Sequence, residues 1–185
     1  MTAGRLIAVV GPSGVGKDSV MAGLHRSMQR LHLVRRVITR APELGGEDFD
    51  AVSEAEFHDL VRNGAFALHW TAHGLRYGIP TSVKLHLNKG TDCLANVSRR
   101  ALGEAHRLFP NLVVLSITAK PETLVARLAA RGRETPEEIE QRLAVARKPL
   151  PKGLQVIPLS NDGPLAQTVA TATARLASMR TELMG

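Results

Sequence analysis

One cysteine in 185 residues, Cys93, rules out an intrachain disulfide. A reducing compartment suits such a chain. With no histidine-paired motif around it, Cys93 reads as a small buried apolar residue and not as a nucleophile. Aromatics are nearly as scarce: four Phe, one Tyr and one Trp make up 3% of the chain. A net charge of +7 would otherwise invite nucleic acid, but the aromatic platforms of a single-strand binder are missing. No nucleic-acid partner is expected. Nor does any apolar run approach the ~20 residues of a membrane helix. The N-terminus runs directly into a first apolar segment without a signal sequence, so a cytoplasmic chain with no membrane partner is expected. Seven histidines do not make a metal site, because His69 and His73 sit in a segment that reads as extended and no Cys or acid completes a tetrahedral set.

Apolar content is 44% and almost wholly aliphatic, as the buried strands of a parallel α/β sheet require. The length fits one compact domain. Apolar runs predict strands at Leu6–Val10, Leu33–Ile38, Thr91–Val97, Leu112–Thr118 and Leu154–Leu159. Between them, helical patterns cover Ser98–Leu108, Pro121–Arg131, Pro136–Arg147 and Gly163–Ser178. Pro121 and Pro136 suit a first helical position, and Thr135 with Glu138 forms a capping box. This alternation argues a five-stranded parallel sheet covered on both faces. The stretch from Thr39 to about Lys89 interrupts it with a Gly- and acid-rich loop, Pro42 to Asp48. A helix capped by Ser53 and Glu56 follows, then extended pieces at Phe66–Trp70 and Leu75–Gly78. The expected organisation is a core over 1–38 and 90–185, a small subdomain over 39–89 and a charged candidate lid over 131–148.

The most specific motif is Gly11-Pro12-Ser13-Gly14-Val15-Gly16-Lys17, lying between the first strand and an amphipathic segment carrying Val20, Leu24, Met28 and Leu31. A strand, a Gly-rich loop and a helix N-terminus in this order form a phosphate cradle. Lys17 reaches the β and γ phosphates, so ATP is the expected ligand. The next position commonly holds the Ser or Thr that binds Mg²⁺. Here it is Asp18, with Ser19 following, and both remain candidate metal ligands.

With these residues in view the chain resembles the guanylate-kinase-like branch of the P-loop nucleoside monophosphate kinases. Ile38-Thr39-Arg40-Ala41-Pro42, continued by Gly46-Glu47, resembles the segment whose arginine holds the acceptor phosphate. His73-Gly74-Leu75-Arg76-Tyr77-Gly78 resembles the segment whose tyrosine reaches the same phosphate. Arg131-Gly132 and Ile139 to Leu143 resemble the lid, whose arginines clamp the transferring group. Asn161-Asp162 resembles the loop beside the adenine.

Two departures bear on substrate. Leu68 stands where guanylate kinases carry a base-reading glutamate, and Asn96 where they carry a second base-reading acid. A base N–H facing Leu68 would lose roughly 1–3 kcal/mol for want of an acceptor. Together with Gly-Lys-Asp-Ser after the loop, Arg-Arg-Val-Ile-Thr-Arg, Gly45-Gly46-Glu47-Asp48, the segment Ala67 to Pro80 and Asn96-Val97-Ser98-Arg99, these departures resemble the ribose 1,5-bisphosphate phosphokinases of bacterial phosphonate breakdown. Phe49 departs from both patterns, standing where guanylate kinases have tyrosine and these kinases histidine.

That resemblance implies an ATP- and Mg²⁺-dependent kinase acting on a phosphorylated ribose. The γ-phosphoryl group would pass to the 1-phosphate of ribose 1,5-bisphosphate, giving 5-phosphoribosyl 1-diphosphate. It places Gly11 to Ser19 and Asn161 at ATP. Arg40 and Tyr77 fall at the 1-phosphate, and Lys17, Arg40, Arg131 and Arg142 at the transferring group, with Arg133 and Arg147 as further lid candidates. Arg99, Arg76 and His73 are candidates for the 5-phosphate, with Asn96 and Ser98 beside them. Glu47 and Asp48 would orient a sugar hydroxyl or water, or else form an ion pair with Arg40. Arg76 reads equally as a solvated surface arginine. A nucleoside monophosphate kinase of altered base choice and a non-catalytic interaction module are the alternatives. Oligomeric state is open.

Overall fold

A computed structural model of the chain describes residues 3–42, 47–132, 135–146 and 149–182. In chain order the elements begin with β1 (Leu6–Val10), α1 (Lys17–Ser27), β2 (Leu31–Leu33), β3 (Arg36–Ile38), β4 (Phe49–Ala51) and α2 (Glu54–Arg62). Next come β5 (Phe66–Ala72), β6 (Leu75–Pro80), α3 (Val83–Asn88), β7 (Asp92–Asn96) and α4 (Leu102–Leu108). The series closes with β8 (Leu112–Thr118), α5 (Pro121–Arg131), α6 (Pro136–Ala146), β9 (Gln155–Ser160) and α7 (Leu165–Glu182).

Five strands hydrogen-bond in the order β2-β7-β1-β8-β9 into an all-parallel sheet. All five residues of β1 and six of the seven of β8 are buried, as expected where helices cover both faces. Only Ile157 and Leu159 are buried in β9, the alternation of an edge strand open to solvent on one side. The expected α/β P-loop architecture is therefore present.

Four further strands form a second sheet in the order β4-β3-β6-β5. The expectation of one strand over Leu33–Ile38 is corrected here. The chain leaves the parallel sheet after β2, which pairs with β7, and re-enters as β3, which pairs with β4 and β6. Val34 and Arg35 make the crossing. The Val34 N–H donates to Leu94 O at 2.9 Å, while Arg35 reaches Asp48, Asp50 and the Phe49 carbonyl. Similarly, the segment expected as a helix from Ser98 opens as a 3-10 turn, Arg99–Ala101, before α4. Met28 terminates α1 and Leu31 already belongs to β2. Both capping boxes form: Ser53 with Glu56 at α2, and Thr135 with Glu138 at α6.

The chain divides into two compact units, Met1–Ala8 with Arg30–Val113 and Val9–Gln29 with Val114–Gly185. In the first, the Arg5 backbone N–H and side chain donate to Asp92 at 2.8 and 2.7 Å, both residues being buried. A pair of this kind costs several kcal/mol to break from one side. Hairpin β5–β6 turns on His73 and Gly74 alone, at φ 53° and 72°. Two positive values in a two-residue loop match the right-handed twist of the strands. In the second unit, α1 turns Val20, Met21 and Leu24 to the core, which also takes Leu115, Ile117, Leu128 and Leu176.

Candidate active site

The phosphate loop lies in the second unit. Gly16 adopts φ 92°, a left-handed conformation natural to glycine, and a Cβ there would stand 2.7 Å from Asn161 Nδ2. No side chain caps α1, which leaves its N-terminal dipole and backbone donors to an anion. Lys17 Nζ donates to the carbonyls of Gly11 at 2.8 Å and Pro12 at 3.2 Å, so the ammonium is already folded back over the loop. Asp18 and Ser19 are exposed on the first turn of α1, within the range of hard oxygen ligands for Mg²⁺.

Two long-range contacts brace this loop. Asn161 is buried, and its Nδ2 donates to Val15 O at 2.8 Å while its Oδ1 accepts from Thr168 at 2.9 Å. The adenine-side expectation for Asn161 thus meets a side chain whose donor and acceptor are both engaged within the protein. Arg127, in the middle of α5, supplies the second brace: Nη2 to Asn161 O at 2.8 Å and Nη1 to Val15 O at 3.2 Å. Sequence reasoning passed over Arg127 because an arginine inside an amphipathic helix reads as solvated charge. The neighbouring Asp162 accepts from the Lys120 N–H, Ser160 and Thr123. These bonds, the Lys120 N–H foremost, hold its carboxyl below the usual range and pin the loop to the start of α5.

A second cluster lies in the first unit, around Tyr77. Trp70 is its cross-strand partner, and the two rings stack with centroids 5.5 Å apart. The Arg36 guanidinium lies 4.9 Å from the Tyr77 ring and grips Glu47 with two hydrogen bonds, one of 2.6 Å. The partner of Glu47 is thus Arg36, not Arg40. Arg40 lies over the Phe49 ring at 4.4 Å, a cation–π contact in the place where a hydroxyl or imidazole was expected. Burial pushes the Tyr77 phenol above its ordinary value, with the charges of Arg36 and Arg40 pulling it back. Arg40 Nε and Nη2 and Trp70 Nε1 are buried without a hydrogen-bond partner among the described residues. Leu68, on β5, is 2% exposed.

The remaining candidates are dispersed. Asp48 is held by Arg35 on the surface. His73 sits exposed at the hairpin tip, and Arg76 pairs with Glu54 at 2.6 Å. Asn96 ends β7, Ser98 precedes the 3-10 turn, and Arg99 is half-buried, with burial drawing its guanidinium below the ordinary value. Arg131 is exposed at the end of α5, and Arg142 lies on α6. The Arg142 side chain, Arg133, Arg147, Lys148 and Glu43 to Gly46 lie outside the described residues. Among the described residues no group of three His, Cys, Asp or Glu is placed to hold a metal ion, and no helix is long and apolar enough to cross a membrane.

The family described as guanylate kinase matches residues 3–162. A protein of Ruegeria sp. (strain TM1040) named ribose 1,5-bisphosphate phosphokinase PhnN is 53% identical over 96% of this chain and 94% of its own length. A protein of the same name from Azotobacter vinelandii is 48% identical over 96% and 97% of the two chains. Among solved structures, the guanylate kinase from Anaplasma phagocytophilum matches with a TM-score of 0.70 at 19% identity, covering 96% of this chain and 87% of that one. At that identity the likeness speaks to fold alone.

Proposed function

This chain belongs to the guanylate-kinase family and, within it, to the ribose 1,5-bisphosphate phosphokinases, and from that premise we propose that it phosphorylates ribose 1,5-bisphosphate at its 1-phosphate. An oxygen of the acceptor phosphate attacks the γ-phosphorus of ATP. The bond between that phosphorus and the β–γ bridging oxygen breaks, and ADP leaves with 5-phosphoribosyl 1-diphosphate as the other product. The acceptor is already an anion, so no general base is needed. Catalysis rests on positioning and on charge stabilisation at the transferring phosphoryl. The place of the reaction in phosphonate breakdown follows the same reading.

Lys17 and the loop from Gly11 to Ser19 hold the nucleotide in this scheme. Asp18 or Ser19, with ATP oxygens and water, would hold Mg²⁺, which would supply charge neutralisation on the phosphates. Arg40 and Tyr77 take the acceptor phosphate, and Arg131 and Arg142 stabilise the charge that spreads over the transferred group. Arg99 is the candidate for the 5-phosphate. One observation carries the choice of acceptor: Arg40 keeps two buried donors without partners among the described residues, and Leu68, where guanylate kinases carry a base-reading glutamate, is apolar and buried. Arg40 has donors for a phosphate, and Leu68 has no carboxylate for a guanine.

The test offers ribose 1,5-bisphosphate and GMP in parallel with ATP and Mg²⁺ and identifies products by phosphorus NMR. A diphosphate on ribose C1 with GMP untouched is expected. GDP formation with ribose 1,5-bisphosphate inert would replace this reading with that of a nucleotide kinase.

A further inference from the structure

We propose that Trp70 is a recognition residue of the acceptor site, its indole N–H donating to an anionic oxygen of the bound sugar phosphate alongside Arg40. The inference deepens the substrate reading above and rests on it. A buried donor left without a partner costs roughly 1–3 kcal/mol, and native chains keep few of them. Three such atoms are Arg40 Nε, Arg40 Nη2 and Trp70 Nε1, and both side chains belong to the surroundings of Tyr77. Trp70 stacks on its ring, and the Arg40 charge acts on its phenol. A structural tryptophan would normally spend its N–H on a carbonyl or hydroxyl. This one, 9% exposed, has none among the described residues.

The chemistry of the three atoms selects the ligand. Indole and guanidinium nitrogens donate and cannot accept. Their common complement is an oxygen rich in lone pairs and bearing no hydrogen, which describes a phosphate oxygen. The donor edge of guanine is the opposite: it needs acceptors, and neither Leu68 nor Trp70 has one to offer. Arg36, 5.9 Å from the indole, adds positive potential but is already committed to Glu47. Trp70 therefore turns the site toward an oxyanion both by what it donates and by what it lacks. All three atoms are closed to solvent, so an arriving phosphate must displace whatever covers them, and the indole must register that event.

Trp70 is the only tryptophan of the chain, which makes the test direct. Intrinsic fluorescence of the wild-type protein is titrated with ribose 1,5-bisphosphate, with inorganic phosphate and with GMP. A saturable change with the first, and a weaker one with inorganic phosphate, is expected; emission indifferent to both would overturn the proposal. In parallel, Trp70→Phe keeps a ring and removes the N–H. The KM for ribose 1,5-bisphosphate should rise about tenfold, with the KM for ATP within twofold of wild type. An unchanged acceptor KM in a cooperatively melting variant would sink the proposal while leaving the substrate reading intact. Should Trp70→Phe not fold, the wild-type titration decides. If the wild-type protein turns over no ribose 1,5-bisphosphate, it is the substrate reading that fails, and the inorganic phosphate titration still judges the oxyanion donor.

Discussion

Arg127→Ala should loosen the phosphate loop and raise the KM for ATP. The side chain makes one short bond, 2.8 Å to Asn161 O, and one longer bond, 3.2 Å to Val15 O. A hydrogen bond from a charged donor is worth about 1.5–3 kcal/mol, and the lower end applies because Arg127 is half-exposed. Val15 O keeps its bond from Asn161 after the substitution, so that carbonyl is not orphaned and its share is small. The sum is about 2 kcal/mol of anchorage. If the braced loop is the state that binds triphosphate, apparent affinity falls with the population of that state, by at most about thirtyfold and on expectation about tenfold. The KM for the acceptor, for which Arg40 and Tyr77 of the first unit are proposed, should stay within twofold. Arg127→Lys offers a single ammonium and cannot serve both carbonyls at once, so it should recover only part of the loss. Urea denaturation and steady-state kinetics with ATP varied give both readouts. A variant that loses about 2 kcal/mol of stability with its ATP KM unchanged would show that Arg127 merely holds the fold. A variant altered in neither would refute the bracing argument itself.

Lys17→Ala should reduce kcat by about three orders of magnitude, since in the proposed scheme it removes the cation on the β and γ phosphates. Its circular dichroism melt should stay close to wild type, and retained turnover would defeat the phosphate-loop assignment. Cys93 offers a pH test. Burial, with Asp92 adding to it, pushes its thiol up to about 12, so native protein at pH 8 should resist a thiol reagent that labels it fully in urea. The sign for stability follows from linkage. A folded pKa above the unfolded value means the contribution is intact below the ordinary thiol range and is lost as pH rises toward about 12. Rapid labelling of the folded protein at pH 8 would contradict the packing around β7.

Much of the fold was legible because its signals are local. Aliphatic runs of five to seven residues marked β1 and β8, and Pro121 and the two capping boxes fixed helix starts within a few residues. Each depends on groups three or four positions apart. The strand, Gly-rich loop and helix of the P-loop fold were readable for the same reason: Gly11 to Lys17 are consecutive backbone, and Lys17 closes back on Gly11 and Pro12. That Leu68 is apolar where the resemblance puts a base-reading acid was visible too, since the want of a carboxylate needs no structure to be noticed. In each case the physics is contained in a short stretch of chain.

What the tertiary structure alone decided are the partners. Arg127 reaches Val15 across 112 positions and Asn161 reaches it across 146, and no periodicity in either segment announces the meeting. Glu47 took Arg36 in place of Arg40, and the two halves of the Leu33–Ile38 run went to different sheets, because strand pairing and register settle which side chains lie side by side. Trp70 carries the same lesson. Its indole could have been any core aromatic in the sequence, and only the packing around Tyr77 shows an N–H closed off from solvent with no acceptor among the described residues. Composition determines which groups can donate, accept or carry charge; satisfaction of those groups is a property of distant neighbours, and it exists only once the chain is folded.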